Sequence, residues 1–332
     1  MSFATLEQTG AVAIGRNEGE RLKRCLTSLA GRVARVVYVD SGSTDGSVEF
    51  AKSLGVEVVA LDMSKPFTAA RARNEGLARL KQLGAFQFIQ FVDGDCEVAE
   101  GWLEKALETM SQRSDVAIVF GRRRERFPEA SVYNKICDIE WNMPIGELPF
   151  CGGDALMRIE ALDQVGGYDP TFIAGEEPEM CFRIREHGWK VLRIDAEMTL
   201  HDAAMTTFSQ WWKRSVRGGH AYAELAWKHG KRSDERYMVK DVKSGWVWGL
   251  VIPLGISFLA PFTCGFSLFG FLIYPYKAKR VAAWLQQQGH SPEDAKLYGK
   301  YCMLIKFPQA IGQAKFEWNR FTGKKSTLIE YK

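Results

Sequence analysis

Two kinds of apolar run alternate along this chain. Stretches dominated by aliphatic or aromatic residues stand at 11–14, 33–39, 56–61, 86–92 and 116–120. Between them the apolar residues fall at helical spacing, as in Leu22, Cys25, Leu26 and Leu29 ahead of a stop at Gly31. Further helices are predicted near 47–54, over 68–83 and over 102–110. The first kind reads as buried strands and the second as helices with one face inward. Strands alternating with helices predict an α/β fold, a mostly parallel sheet flanked by helices.

In such a sheet, ligands bind beyond the carboxyl ends of the strands. Polar residues gather at those ends: Asn17 and Glu18 after the first strand, Asp40 after the second. The run Phe86-Gln-Phe-Ile-Gln-Phe-Val92 stops at Asp93-Gly94-Asp95. Residues i and i+2 of an extended backbone point the same way, so both acids can face one site. Gly94 between them lets a bulky group approach the backbone. Two converging carboxylates repel, and a divalent cation shared with a phosphate would relieve that. Taken alone, the triplet reads equally well as a polar turn. A phosphate-bearing ligand also needs cations. Arg71 and Arg73 are two apart on a helix, so one can reach it while the other is paired or at the surface. The basic run 121–126 is either a solvated loop or a phosphate clamp.

The 332 residues are 46% hydrophobic and 25% charged, enough for one large domain with an appendage or for two modest ones. A net charge of +4 without interleaved basic and aromatic residues argues against nucleic acid as a partner. Seven scattered cysteines with no Cys-x-x-Cys suggest reduced thiols in a cytosolic compartment. The first ten residues have neither a basic start nor an apolar run, so no secretory signal is expected.

Five segments, in order, resemble the family 2 glycosyltransferases. They are Arg16-Asn17-Glu18, the stretch Val39-Asp-Ser-Gly-Ser-Thr-Asp-Gly46, Ala72-Arg-Asn-Glu-Gly76, Phe91-Val-Asp-Gly-Asp95 and Gly175-Glu-Glu-Pro-Glu-Met-Cys-Phe-Arg183. The resemblance covers roughly residues 8–220. It implies the GT-A fold, a nucleotide-sugar donor, Mg2+ or Mn2+ and inversion at the anomeric carbon. By position, Asp40 would hold the base, commonly uracil as in a UDP-sugar, and Arg73 the base or diphosphate. Asn17, Glu18 and Gly153 would line the donor site. Asp93 would meet the ribose or metal-bound water and stand with Asp95 as a metal candidate, Asp95 would ligate the metal, and His201 would complete the metal site. Glu177 stands where the family has its catalytic Asp. One methylene longer, it is either the base itself or shares the role with Glu176. Asp138, Glu140, Trp141 and Asp154 are acceptor-side candidates.

Residues 245–276 hold no formal charge and are flanked by Lys240 and Lys243, then Lys277, Lys279 and Arg280. As one helix they would reach about 48 Å, well beyond a hydrocarbon core of roughly 30 Å. Split at Pro261, each half is about 23 Å and too short to span easily. Basic flanks on both sides place both ends in the cytoplasm. A re-entrant or interfacial hairpin is the first expectation and a two-helix span the second; a buried hairpin or a dimer interface is the alternative. The expected organisation is a transferase domain over 1–225 and a hydrophobic, membrane-associated helical region over 226–332. The expected activity moves a sugar to a lipid-linked or surface-polysaccharide acceptor at the cytoplasmic face of the inner (plasma) membrane. A sugar nucleotidyltransferase or a processive polysaccharide synthase is the alternative. Against the first stands Gly15-Arg-Asn-Glu18, where a glycine-rich basic loop is wanted; against the second, a single hydrophobic stretch.

Overall fold

The computed structural model describes residues 4–231 and 236–324. The strands are β1 (Thr9–Gly15), β2 (Arg35–Asp40), β3 (Glu57–Ala60), β4 (Phe88–Asp93), β5 (Cys96–Val98), β6 (Val116–Glu125), β7 (Gly146–Glu147), β8 (Ala155–Arg158) and β9 (Lys190–His201). They form one sheet in the order β3-β2-β1-β4-β8-β6-β9-β5, with β7 paired to β9. The half from β3 to β4 is parallel. β8 then runs antiparallel to both β4 and β6, so the sheet is mixed. The helices that follow β1 to β3 are α1 (Glu20–Leu29), α2 (Ser47–Ser53) and α3 (Ala69–Leu83), and α4 (Trp102–Gln112) follows β5. Four further helices are α5 (Val132–Glu140), α6 (Ile159–Val165), α7 (Glu176–Glu186) and α8 (Phe208–His229).

The local chemistry of these elements is plain. α1 buries Leu22, Cys25, Leu26 and Leu29, one apolar stripe against the sheet. Thr68 caps α3, its hydroxyl accepting the Arg71 amide at 3.1 Å. The polar interruption Gln90 in β4 is fully buried and satisfied, donating to the Phe91 carbonyl and accepting from the Trp102 indole at 2.9 Å.

The chain divides into two compact units. One comprises residues 1–126 and 140–203 and holds the whole sheet; the other comprises 127–139 and 204–332. The second is helical, with α8 joined by α9 (Val239–Trp246), α10 (Ile252–Leu259), α11 (Ile273–Gln287), α12 (Pro292–Leu304) and α13 (Lys306–Thr322). α8 and α13 cross where both lack side chains: a Cβ on Gly219 would stand 2.1 Å from the Gln309 carbonyl, and one on Gly312 2.0 Å from that of Val216. α9 and α10 belong to one largely apolar helix, Val239–Leu259, of 21 residues, whose most apolar 18-residue window has a mean hydropathy of 1.4. No residue between Trp246 and Arg280 is buried.

Candidate active site

Strand register gathers the acids. In the parallel pairing Gly15 lies beside Asp40, and Ile14 beside Asp93, so β2 and β4 end on either side of the end of β1. The Asp40 carboxylate accepts the Tyr38 hydroxyl at 2.9 Å and the amides of Gly42 and Ser43 at 2.9 and 3.0 Å, which fixes the turn after β2. Asn17 ties its own loop to that turn, accepting the Thr44 amide at 2.7 Å and donating its amide to Ser43 Oγ at 2.9 Å. Glu18 pairs with Arg21 at 2.8 Å. These three residues lie on one rim, as the strand-end pattern predicts, and they hold the loops there in shape.

The centre of the site is Arg73, on α3. Its Nη2 stands 2.8 Å from Asp93 Oδ1, and its Nη1 lies 3.0 Å from Glu176 Oε1 and 2.9 Å from Glu177 Oε1. One buried guanidinium therefore joins the end of β4 to the first turn of α7, although more than 80 residues separate Asp93 from Glu176 in the chain. Burial alone would discharge Arg73, but Glu177 and Asp93 outweigh it and hold the side chain firmly cationic. Arg71 turns the other way and donates to the carbonyls of Asp62 and Lys65. A Cβ on Gly153 would lie 2.6 Å from Arg73 Nη2 and 2.7 Å from Asp93 Oδ2, so any side chain there would push one of those two tips aside. Gly94 has a packing role instead: its Cβ would meet the Ile14 carbonyl at 3.0 Å.

Glu177 is pushed up to about 7, first by burial and then by Glu176, against the pull of Arg73. Asp93 shifts the other way. Burial would raise it, but Arg73 and then Arg123 hold it below the usual carboxylate range. Two neighbouring acids are thereby driven apart in proton affinity, the usual separation of an acid or base from an electrostatic group.

The basic run 121–126 is not a loop. β6 continues through it, pairing with β9 as far as Glu125 beside His201. Arg123 points inward, 3.2 Å from Asp93 Oδ2 and 2.7 Å from Asp154 Oδ2. Arg124 and Arg126 pair with Glu197 and Glu97. Asp154, expected on the acceptor side, is instead fully buried beneath the site. It accepts the Asp93 amide at 3.0 Å and the Thr199 hydroxyl at 2.7 Å. Arg123 and Thr199 were not singled out by the sequence; the one hint was that Arg123 and Glu125 fall on alternate positions of a strand-like run.

β5 and β9 run antiparallel with Cys96 opposite His201, which brings Asp95 to the histidine. His201 Nε2 is 3.4 Å from Asp95 Oδ2, and its Nδ1 is 3.5 Å from Glu125 Oε2. The Trp141 ring meets the imidazole edge-on at 4.7 Å, so this tryptophan walls the histidine. Asp95, Cys96 and His201 offer ligand atoms within 4.8 Å of one another. Burial keeps the Cys96 thiol protonated, which leaves a carboxylate oxygen and an imidazole nitrogen as the donors. That pair fits a divalent cation.

Residues 12–166 match the family model described as Glycosyl transferase family 2. Just under half of the chain is thus similar to that family. Among curated relatives, the Pre-mycofactocin glycosyltransferase of Mycobacterium tuberculosis is 29% identical over 229 residues, 64% of this chain and 46% of its own length. The Succinoglycan biosynthesis protein ExoA of Rhizobium meliloti is 30% identical over 192 residues, 53% of this chain and 55% of its own. The chain thus spans about half the length of the curated relatives it matches. A solved structure, the mannosyltransferase PcManGT from Pyrobaculum calidifontis in complex with GDP-Man and Mn2+, superposes with a TM-score of 0.64 at 14% identity, covering 94% of this chain and 88% of that one. That likeness establishes the GT-A fold.

Proposed function

We propose that this protein transfers a sugar from a nucleotide-diphosphate donor, a UDP-sugar, to a lipid-linked or surface-polysaccharide acceptor, inverting the anomeric carbon at the cytoplasmic face of the inner membrane. The observation that carries the reading is the Arg73 guanidinium, which sets Asp93 and the Glu176–Glu177 pair around one point. The nucleotide sugar and Mn2+ in PcManGT and the succinoglycan role named for ExoA support the donor, ion and acceptor classes.

In this reading Asp95 and His201 hold Mg2+ or Mn2+, and Asp93, kept ionised by Arg73 and Arg123, meets the donor. The ion, when bound, offsets the negative charge of the departing diphosphate. Asn17, Glu18 and Asp40 shape the rim that receives the nucleotide, and Gly153 leaves room for Arg73 at its floor. Glu177 is the base. It takes the proton of the acceptor hydroxyl while that oxygen bonds to the anomeric carbon, and the bond to the diphosphate breaks on the opposite face. A proton affinity near neutrality suits that task. Glu176, the more buried of the two, anchors Arg73.

The test is Glu177→Gln. Turnover falls by on the order of 10²–10⁴ while nucleotide-sugar binding, read by thermal shift, survives. Unchanged turnover would remove Glu177 from the chemistry. In parallel, Mn2+ raises the melting temperature of the wild type and fails to do so in His201→Ala; an equal rise in both removes His201 from the ion site.

A further inference from the structure

The helical unit ends in an apolar prong that none of its described residues covers. The helix Val239–Leu259 is anchored at its start: a Cβ on Gly245 would meet the Gln313 side chain at 2.3 Å, and one on Gly249 the Lys306 carbonyl at 2.0 Å. Past Gly249 it leaves the bundle. The chain turns at 261–265, and the returning segment closes onto the helix through Ser267 Oγ, which donates to the Ile256 carbonyl at 2.8 Å. Phe258, Phe262, Phe266 and Phe269 are each about two-thirds exposed or more, from 67% to 73%.

We infer that this prong enters a single leaflet of an anionic lipid bilayer and does not cross it. Three observations select that occupant. The first is length. From Gly249 to Ala260 the free helix rises about 17 Å, close to the roughly 15 Å of one leaflet and half the roughly 30 Å of the core. The second is its collar. Tyr274 donates its hydroxyl to the Trp248 carbonyl at 2.5 Å, and Lys277 Nζ lies 5.4 Å over the Trp248 ring. Aromatic rings with a polar edge and lysines with long stems settle at the headgroup level, and here they ring the base of the prong. The third is charge. Residues 204–332 carry 20 lysines and arginines against 8 acids, whereas residues 1–203 carry 24 against 32. The basic excess sits wholly in the part of the chain that bears the prong, and it matches an anionic surface.

Cys264, at the turn, is exposed, and five of the other six cysteines are buried. It serves as a native depth probe once the half-buried Cys302 is replaced by serine. Protein is mixed with phosphatidylcholine vesicles, with or without phosphatidylglycerol, and floated on a density gradient. A membrane-impermeant maleimide is then added outside, or trapped inside beforehand. Expected are flotation with the phosphatidylglycerol vesicles only, loss of flotation as salt rises, and loss of Cys264 labelling from both sides. Labelling by the trapped reagent would mean a span, and would overturn the inference. So would labelling from outside at the rate of lipid-free protein, or protection without lipid that deepens with protein concentration, the sign of a second copy on the prong. Flotation is lost in the double variant Phe262→Asp, Phe266→Asp, whose melting profile is unchanged. None of these readings needs a donor or an acceptor, so failure here leaves the transferase reading standing.

Discussion

Arg73 is shared by Asp93 and by the adjacent Glu176 and Glu177 of a distant segment, and its surroundings make the behaviour of each carboxyl depend on the others. Substitutions at Asp93 and Glu177 share this one cation, so their effects on turnover do not multiply. A double-mutant cycle with Asp93→Asn and Glu177→Gln should show a combined loss smaller than the product of the single losses. Acidity gives a second test. Burial and Glu176 push the Glu177 carboxyl up to about 7 from an ordinary 4.5. As a base it works ionised, so kcat/KM should climb about tenfold per pH unit below 7 and level off above it. Folding feels the same shift. A carboxyl raised in the folded state contributes stability that is complete below its ordinary value and is lost as pH rises through 7. The Glu177→Gln variant escapes that loss, and its melting temperature relative to wild type should rise between pH 5 and pH 8.

Among the elements, β6 shows most clearly what pattern reading reaches. Its first half is continuously apolar and legible. Its second half, Arg122–Glu125, reads as a polar loop because the partners that allow arginines into a sheet come from elsewhere: Asp154 from β8's approach and Glu197 from β9. Sequence alone does not show pairings of that range. Strand ends, by contrast, were legible, since the β3-β2-β1-β4 half is parallel and parallel topology sends every carboxyl end to one rim. The direction of β8 was not, because a four-residue strand leaves no periodicity to read. Removing the β6 cation should be costly. Arg123→Met leaves Asp154, wholly buried, without its ion pair, and about 3–5 kcal/mol of stability should go with it in urea titrations. Gly153→Ala acts on the other side of Asp93. Its methyl group displaces the tip of Arg73 or Asp93 from their contact, and nucleotide-sugar binding should weaken while the fold persists.

In the molecule as a whole, residues 127–139 belong with the distant 204–332 and not with their neighbours, a grouping that no local pattern in the sequence signals. Two cores imply two cooperative transitions on heating, and a ligand stabilises only the unit that binds it. Mn2+ should therefore move one transition and leave the other in place; a single transition, or a shift of both, would contradict that division. The prong has the widest consequence. A segment that enters and leaves the lipid on the same side keeps everything before and after it in one aqueous compartment. Under the transferase proposed above, donor and product would then stay on one side of the bilayer, and moving a lipid-linked product to the opposite leaflet would take a separate activity.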